Sequence, residues 1–424
     1  MTRTWWSAVG GVMGVGAALV AAGCGAERET PGGGPLAGRT VIFSLSVAED
    51  EKSGVQAVLK RFTQASGARV TLVSVAAEDL PQKLAVEVRA GRPSIDLFAQ
   101  DNLALRVLVD EDLVADLSDV PIPDGVLRPM IPERLAGRQY FLPFRPNVQV
   151  AYVNRRRFAQ AGVAPPRNVE ELRDVGRRLK AAAGGIARIT LPLAQGAPAA
   201  VTIAEWIVGF GGNPLVLNDA GSVRAFEFLQ TLWAEGLLLK ESLRAKYDTQ
   251  LDFLVGETAW LAPNWPFTSS VLAEQGLLEF FQVYEGWRGP RRAAHVIGGD
   301  VLGIPKGVAG PRREAAVALA AFLMGREAQQ ILVERNGWPS VRADAYGTVP
   351  TQQRETFAAI QAALQEGWFR PNVPYWSDVS GAMNEAVRRI LEHGEPPKPV
   401  LDALHETVAA AARRRGAPYP PAPQ

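Results

Sequence analysis

The chain is poor in the residues that build disulfide frameworks and metal sites. It has a single cysteine, Cys24, and three histidines among 424 residues. One cysteine excludes an internal disulfide, and the histidines at positions 295, 393 and 405 lack the spacing of metal ligands. The nucleophile elbow of hydrolases, the zinc-protease helix motif, the phosphate loop and the dinucleotide fingerprint are missing too. We therefore expect no metal and no other cofactor.

An excess of charge of one sign is also missing. The 45 Lys and Arg residues balance 44 Asp and Glu residues, which leaves a formal net charge of +1. Such a chain has no overall field to attract nucleic acid, so we expect no nucleic-acid partner. With 47% hydrophobic and 21% charged residues the composition is that of a globular protein, and the length predicts about two or three units with their own cores.

The amino terminus has the pattern of an export signal. Arg3 precedes an apolar stretch from Val9 to Ala22, which is shorter than the roughly 20 residues of a membrane-spanning helix. Residues 1–23 are therefore predicted to be a signal peptide. Residues 21–24, Ala-Ala-Gly-Cys, resemble the bacterial lipobox, which predicts that Cys24 becomes a lipidated amino terminus. The alternative is an ordinary signal peptide with an incidental cysteine.

Residues 24–38 are rich in Gly and Pro and are predicted to be a flexible tether. The signal and tether together predict an exported, soluble body held by its lipid anchor on the outer face of a membrane, facing the periplasm or the cell exterior.

Hydrophobic periodicity then predicts alternating strands and helices. Apolar runs at Val41–Leu45, Ala68–Val75 and Ile95–Ala99 are typical of buried strands, and residues 55–62 and 80–88 have helical spacing between them. This alternation favours a mostly parallel sheet covered by helices.

A second α/β unit is predicted further along the chain. Asn168 followed by Glu171 has the pattern of a capping box at the start of a helix. Strands are predicted at 186–193, 258–262, 280–284 and 301–304, helices at about 200–210, 222–235, 312–324 and 327–335, and three more helices up to about 415. Residues 417–424 contain four prolines and are predicted to be disordered.

Polar side chains follow two of the predicted parallel strands. Glu49 comes after the first strand, and Asp101 with Asn102 comes after the third. Ligands of open α/β sheets bind outside the carboxyl ends of the strands, so these groups are candidate ligand contacts. Glu49 and Asp101 could instead be acids at a helix N-terminus, where the helix dipole favours them.

Tryptophan side chains are further candidates for ligand contacts. Several of these residues stand beside Pro, Asn or Gly in loop-like segments, as Trp265, Trp287 and Trp338 do, whereas Trp206 and Trp233 fall in helical patterns and are predicted to be core. Carboxylates, amides and aromatic faces in one cleft suit a sugar, because hydroxyls take directional hydrogen bonds while C–H faces pack on rings.

From about Thr40 to Arg415 the chain resembles the maltose-binding-protein-like family of extracellular sugar-binding proteins that serve bacterial ABC importers. The matching segments occur in the family's order and spacing: Phe62 to Gly67, Gly91-x-Pro93-x-x-Asp96, Phe98 to Asp101, Pro143 to Asn154, Gly256 to Trp260, Gly298-Gly299 and Pro371 to Pro374.

This resemblance implies roles for individual residues. Asp101 matches the family's sugar-binding aspartate, Glu49 falls where an acidic ligand residue follows the first strand, and Trp265 lies near a stacking tryptophan. Asn147 stands where maltose binders have a glutamate, which favours trehalose or a related α-glucoside over maltose. Gly299 and Arg370 match ligand contacts of the trehalose-recognising members; as alternatives, Gly299 could serve only a turn, and Arg370 could pair with a surface acid.

The resemblance also implies a fold and a function. The fold is an α/β, two-lobed periplasmic-binding-protein fold of type II with three crossovers near residues 146, 299 and 348. Lobe 1 comprises residues 39–146 and 300–348, and lobe 2 comprises 147–299 and 349–416. The expected protein is a monomer and not an enzyme; it captures a sugar by lobe closure and delivers it to the permease subunits of an ABC importer.

Two other function classes stay open at this point. One is a lipid-anchored carbohydrate-active enzyme that uses Glu49 and Asp101 as an acid and base pair, whose carboxyl groups should then lie about 5 to 10 Å apart. The other is an adhesion or scaffold lipoprotein, which predicts no closable cleft.

Overall fold

The computed structural model describes residues 34–47, 51–76, 79–102, 105–347, 349 and 351–420, and in these residues the strands form two separate sheets. The larger sheet has six strands in the order β2-β1-β3-β8-β4, with β9 paired to β8. Its strands are β1 (Thr40–Ser44), β2 (Arg69–Val73), β3 (Leu97–Asp101), β4 (Leu142–Asn147), β8 (His295–Gly303) and β9 (Gly367–Phe369).

The first part of the larger sheet follows the predicted alternation. Strand β1 pairs in parallel with both β2 and β3, and helices α1 (Lys52–Ser66) and α2 (Leu80–Arg89) connect them. Gly67 ends α1 in the left-handed conformation, with φ 77°, and its N–H donates to the Thr63 carbonyl at 2.9 Å. The carboxyl ends of β1 and β3 consequently lie at the same edge of the sheet.

The smaller sheet is antiparallel and has the order β6-β5-β7. Its strands are β5 (Val150–Asn154), β6 (Leu261–Asn264) and β7 (Phe281–Tyr284). The strand predicted at 186–193 is wrong, because only Ile189 forms isolated bridges there, to Leu238 and Leu261. Pro192 has no N–H to donate, which is one reason why this segment does not extend into a ladder.

Helices cover both sheets. The remaining helices are α3 (Leu105–Asp110), α4 (Arg155–Ala161), α5 (Val169–Ala182), α6 (Ala197–Gly209), α7 (Ala220–Ala234), α8 (Tyr247–Val255), α9 (Phe267–Glu274), α10 (Gly310–Leu323), α11 (Arg326–Asn336), α12 (Arg354–Gln365), α13 (Trp376–Val387) and α14 (Pro397–Arg414). One turn of π-helix, Arg388–Glu392, continues α13.

The capping box at the start of α5 is present. The Asn168 side chain accepts a hydrogen bond from the Glu171 N–H at 2.9 Å, and the Glu171 carboxylate reaches back to the Arg167 N–H at 2.8 Å. Both bonds satisfy backbone donors that the first helical turn would otherwise leave open.

Each sheet has its own hydrophobic core. One core packs β1, β3 and β4 against α1, α10 and α11, and another packs β5 and β6 against α5, α6, α7, α13 and α14. Within the described residues no single helix is long and apolar enough to cross a membrane; only α10 and α11 together meet that measure, and they are bent by 61°. Much of both helices lies buried in the first core.

The chain passes between the two sheets at three places. Strand β4 ends at Asn147 in the larger sheet, and β5 begins at Val150 in the smaller one. Strand β8 returns the chain, pairing first with β9 at His295–Ile297 and then with β4 and β3. The chain leaves again between α11 and α12, where Thr348 and Pro350 lie outside the described residues.

The predicted disorder of the C-terminal tail is wrong for residues 417–420. Ala417 and Tyr419 pack against the core of the smaller sheet, and the Tyr419 hydroxyl donates to the Leu215 carbonyl at 3.2 Å. The Tyr419 ring also makes an edge contact with Tyr375, at 6.4 Å between centroids. One aromatic residue thus anchors a proline-rich segment; residues 421–424 lie outside the described residues.

Candidate functional site

Five of the predicted site residues occur where the two sheets meet, together with Asn147 at the end of β4. Asp101 ends β3 and Asn102 follows it. Gly299 lies inside β8, Trp265 follows β6, and Arg370 follows β9. Glu49 and Cys24 lie outside the described residues.

Asn102 connects the two sides of this region. Its side chain is buried, and its Nδ2 donates to the Ile297 carbonyl in β8 at 2.9 Å. Its Oδ1 accepts a long hydrogen bond, 3.5 Å, from Nη2 of Arg370. Asn102 therefore holds the end of β3 against β8 and positions the guanidinium beside Asp101.

Arg370 is a buried cation with one unpartnered donor in the described part of the chain. Only 7% of the residue is exposed, and its Nε has no hydrogen-bond partner among the described residues. Burial lowers the pKa of the guanidinium to about 10, while the negative charge of Asp101 opposes this shift. The alternative role, a partner for a surface acid, is wrong, because the side chain lies in the interior between the sheets.

Two aromatic side chains adjoin the guanidinium. Trp376, the first residue of α13, has its ring 5.9 Å from the Arg370 guanidinium carbon. Tyr247, the first residue of α8, makes an edge contact with Trp265 at 5.6 Å between centroids. The Tyr247 hydroxyl is buried beside Trp265 without a well-formed hydrogen bond in the described part of the chain. Buried donors next to ring faces are features of a site for a polar ligand with apolar faces.

Trp265 is held in place from both directions along the chain. The Asn264 side chain accepts a hydrogen bond from the Trp265 N–H at 2.9 Å and donates to the Tyr247 carbonyl at 2.8 Å. The Trp265 carbonyl accepts from the Tyr152 hydroxyl at 3.2 Å. This anchoring leaves the indole ring partly exposed next to Gly298.

The paired glycines allow the strands and the indole to approach closely. A Cβ on Gly298 would lie 3.1 Å from the ring of Trp265. Gly299 has φ 87°, and a Cβ there would lie only 2.0 Å from the Arg145 carbonyl oxygen. Gly299 therefore lies inside a strand and not in the turn that the alternative required, and a glycine is needed there for the close approach of β4 and β8.

Asn147 uses its amide oxygen locally. Its Oδ1 accepts a hydrogen bond from the N–H of Val148 at 3.1 Å. That bond stabilises the turn from β4 into β5 and leaves the amide NH₂ as the group that Asn147 could offer to a ligand.

A group of charged side chains lies on the larger sheet beside Asp101. Asp300 is the β8 residue directly opposite Asp101, and Arg145 contacts the Asp300 carboxylate at 3.1 Å. Burial raises the pKa of Asp300; the Arg145 charge opposes this, and the charges of Asp101 and Glu51 add to it. The larger sheet thus presents carboxylate acceptors beside β3 and β8, and the Arg370 guanidinium as a donor at the end of β9.

Trp338 has a different role from that suggested by its Gly-Trp-Pro context. It is buried, its indole N–H donates to Glu51 at 2.6 Å, and the Arg145 guanidinium lies 4.4 Å from its ring. Its ring also makes an edge contact with Phe144, at 6.3 Å. Trp338 is therefore a core residue that supports Arg145.

Comparison with known proteins identifies the family. The family model described as bacterial extracellular solute-binding protein matches residues 57–359. The chain belongs to this family. The members of this family are extracellular solute-binding proteins, so this protein is expected to be exported. A Brucella abortus protein described only as a binding protein is 22% identical over 285 residues, which cover 64% of this chain and 68% of that protein.

Two sugar-binding proteins of known structure have the same fold as this chain. The sugar-binding protein MalE of Xanthomonas citri has a TM-score of 0.77 at 16% identity, covering 89% of this chain and 98% of that one. The cyclic alpha-maltosyl-1,6-maltose binding protein of Arthrobacter globiformis has a TM-score of 0.76 at 18% identity, covering 88% and 99%. The predicted α/β fold of two lobes is confirmed.

Sequence reasoning missed two residues of this candidate site. Tyr247 stands in no pattern that distinguishes it from other helix-start residues. Glu205 did have a signal, because it is the only charged residue in the apolar helix α6. Its carboxylate accepts a hydrogen bond from the Val296 N–H at 2.8 Å. The electrostatic influence of Arg370 reaches Glu205, so both belong to the same region.

Glu205 predicts a pH dependence of stability. Burial raises the pKa of its carboxyl to about 8, against an opposing hydrogen bond from Val296 and the charge of Arg370. The native state therefore holds a proton that the unfolded chain releases near pH 4.5. The contribution of Glu205 to the free energy of unfolding is therefore at its maximum below pH 4.5 and is lost as the pH rises through about 8.

We expect the melting temperature of the wild type to fall more steeply between pH 5 and pH 8.5 than that of Glu205→Gln. Differential scanning calorimetry at a series of pH values measures both slopes, and His295, present in both proteins, cancels in the difference. Parallel slopes would show that Glu205 is ionised in the native protein.

Among the described residues no cluster of His, Cys, Asp and Glu could hold a metal ion. The chemistry that the site offers is recognition. It has the carboxylate of Asp101, the guanidinium of Arg370, the hydroxyl of Tyr247 and the indole of Trp265.

Proposed function

We propose that this protein binds a disaccharide or oligosaccharide between its two lobes and delivers it to the permease of an ABC importer. The observation that carries the proposal is the buried guanidinium of Arg370, whose Nε has no partner among the described residues while its Nη2 touches Asn102. A buried donor without a partner costs about 1–3 kcal/mol or more, so a ligand oxygen at this place would recover a substantial interaction.

The surroundings of Arg370 favour a sugar over other solutes. Asp101 supplies a carboxylate that can accept from hydroxyls, and Trp265 supplies a flat apolar face. Sugar-binding proteins with the same fold add support: T. maritima MalE3 and the MalE protein of Listeria monocytogenes both bind maltose in their solved structures. These relatives are binding proteins, which also supports a role without catalysis.

Lobe closure would convert binding into a transport signal. We place lobe 1 at residues 39–146 and 300–348 and lobe 2 at 147–299 and 349–416, with the chain crossing near 146, 299 and 348. A sugar that touches Asp101 on one lobe and Arg370 on the other binds the closed form more tightly than the open form. A monomer that closes in this way presents a permease with a changed surface.

Within the sugars, trehalose or a similar α-glucoside is the ligand that we favour. The Arg370 fork provides fixed donors that a compact non-reducing disaccharide can satisfy. Asn147 offers an NH₂ where a glutamate would only accept, which suits a different hydroxyl pattern from that of maltose.

Titration calorimetry against a panel of trehalose, maltose, longer α-glucans and monosaccharides tests the proposal. We expect saturable heat with at least one di- or oligosaccharide, together with a smaller radius of gyration by X-ray scattering. Absence of heat with every sugar, with scattering unchanged, would overturn it. Chromatography of the same samples would reveal the alternative, a carbohydrate-active enzyme using Glu49 and Asp101, by the appearance of cleavage products.

Asp101→Asn keeps the shape of the side chain and removes its charge. Since a hydrogen bond to a charged group contributes roughly 1.5–3 kcal/mol, we expect sugar affinity to fall at least about tenfold. The melting temperature of the sugar-free protein should fall only modestly, because Asp101 is half-buried and is one of three groups whose electrostatic influence stabilises the charge of Arg370. A large loss of stability with unchanged affinity would make Asp101 a structural residue instead.

We also propose that Cys24 carries the lipid anchor, supported by its position as the only cysteine, directly after the apolar signal and before a Gly-rich and Pro-rich segment. Each buried methylene contributes about 0.8 kcal/mol, so several acyl chains hold the protein on the membrane. Cys24→Ser should move the protein from the detergent phase of a Triton X-114 partition into the aqueous phase. Detergent partitioning that does not change would exclude Cys24 as the anchor.

A further inference from the structure

Lobe 2 contains a cavity that the proposed cleft does not use. It lies between helix α6 and the strands of the smaller sheet and has a volume of about 50 Å³. A water molecule needs about 10–15 Å³ by the same measure, so the cavity has room for several waters or one small molecule. Its polar lining comes from Gln149, Thr202, Glu205 and His295, and its aromatic lining from Trp206, Phe210 and Trp287.

One polar group in this lining has no partner. Gln149 is 3% exposed, and its Nε2 makes no hydrogen bond within the described part of the chain. Thr202 and Glu205 are engaged, since the Thr202 hydroxyl donates to the Pro192 carbonyl at 3.0 Å and Glu205 accepts from Val296 at 2.8 Å. A buried amide that lacks an acceptor favours a bound oxygen in this space.

The interior of the cavity carries no formal charge near pH 7. Burial raises the pKa of Glu205 to about 8, so its carboxyl is mostly protonated and can donate a hydrogen bond. Burial lowers the pKa of His295 to about 4, so its imidazole is neutral and has one donor and one acceptor. The remaining charged group in the lining, Glu285, is exposed at the rim. An ion in this space would lose its hydration, and the buried polar groups of the lining do not carry a full charge to compensate, which favours an uncharged ligand.

Ring stacking and backbone hydrogen bonds hold the walls of this cavity in place. Trp206 stacks on Phe210 with an interplanar angle of 15°, and the loop after β7 is tied to the end of α6 by a hydrogen bond from Arg291 N–H to the Gly209 carbonyl at 3.0 Å. A Cβ on Gly289 would lie 2.3 Å from the Gly209 backbone, so this loop is as close to the helix as glycine permits.

We propose that this cavity is a second binding site, within lobe 2, for one small uncharged polyol, up to the size of a single sugar ring. Hydroxyl groups can accept from Gln149 and donate to His295, and the C–H faces of a polyol match the indole walls. The site is separate from the cleft at Arg370, although Glu205 lies between the two. Its ligand is a free polyol or a free monosaccharide.

The histidines provide a direct test in the full-length protein. The chain has three, and the other two, His393 and His405, lie outside the lining. We expect glycerol and D-glucose, used as probes, to shift the imidazole proton signals of His295 saturably in NMR titrations, with His393 and His405 unmoved. Gln149→Leu should raise the dissociation constant roughly three- to tenfold, as expected for one neutral hydrogen bond.

Gln250→Leu is the matched control. Gln250 is also a fully buried glutamine of lobe 2 with an unpartnered side-chain atom in the described structure, but it does not line the cavity. It should leave the titrations unchanged. If Gln149→Leu does not fold, Trp287→Ala replaces it. Trp287 is partly buried, and its loss should weaken binding by removing an aromatic wall of the cavity.

The outcomes separate this site from the proposed function. His295 shifts with glucose but no calorimetric heat with any disaccharide would support the cavity and overturn the proposed function. Heat with a disaccharide while His295 stays unmoved by every probe would do the reverse. Equal shifts of all three histidines, or equal affinity in wild type and Gln149→Leu, would overturn the cavity site.

Discussion

Replacing Arg370 by methionine should weaken sugar binding by roughly 10- to 100-fold, because a hydrogen bond to a charged group contributes roughly 1.5–3 kcal/mol. The guanidinium is buried, its Nε has no partner in the described structure, and Asp101 lies close enough to stabilise its charge. Methionine fills a similar volume without a charge, so the sugar-free protein should unfold at nearly the same temperature or slightly higher. Calorimetric titration and thermal unfolding measure the two effects separately.

Arg188 offers a matched control for this experiment. Its guanidinium carbon also lies over a tryptophan ring, 4.9 Å from that of Trp260, and its Nε is also buried without a partner in the described structure. It donates to the Glu257 and Thr258 carbonyls, at 3.3 and 3.1 Å, and does not contact the candidate site. Arg188→Met should therefore lower stability and leave sugar affinity intact.

Arg370→Lys refines the same prediction. Lysine keeps the charge but loses the planar fork, so affinity should fall between that of the wild type and that of Arg370→Met. If all three variants bind sugar like the wild type, Arg370 does not contact the ligand.

Local periodicity was sufficient to predict the first part of the fold. Strands β1 to β3 and helices α1 and α2 follow from apolar runs and helical spacing, because each element buries a face that its own residues specify. The segment at 186–193 failed, since an apolar run with a proline can lie along a sheet without joining its ladder. Strand β8 was predicted only from Val301, because paired glycines usually indicate a turn.

The candidate site depended on contacts that periodicity does not contain. Asn102 and Arg370 are 268 residues apart in sequence. The position of Asn102 after a predicted strand made it a candidate ligand contact, whereas only the family resemblance suggested Arg370. Glu205 could have been found from its charge in an apolar helix, whereas Tyr247 could not. The hydrogen bond from Val148 to Asn147 depends on the turn geometry, so composition alone could not show that its amide oxygen is engaged.

For the C-terminal residues, the sequence predicted disorder where the structure has ordered contacts. Four prolines in the last eight residues are typical of disorder, yet the ring of Tyr419 packs against Tyr375 and against His405 of α14. Proline restricts the unfolded chain as well as the folded one, so a single aromatic contact can hold such a segment in place.

Gly299→Ala should have the largest effect on stability, with a loss of about 3 kcal/mol or more. Gly299 lies where β8 passes between the lobes, at φ 87°, which side chains rarely adopt. The added Cβ would also lie 2.0 Å from the Arg145 carbonyl oxygen, so β4 and β8 would have to separate. Because β4 leads into the first crossing, this separation should also loosen the lobes relative to each other. Chemical denaturation measures the loss of stability, and scattering of the sugar-free protein measures the change in shape.

Gly137→Ala separates the two causes. Gly137 has a similar φ, 77°, but a Cβ there would meet nothing within 4 Å. It should lose only the roughly 1–2 kcal/mol that a left-handed conformation costs an ordinary residue. If both variants lose the same free energy of unfolding, the clash with Arg145 has no effect and only the backbone conformation of Gly299 matters. A larger loss at Gly299, accompanied by a broader distribution of distances in scattering, would place the stability of the second crossing in the close approach of β4 and β8.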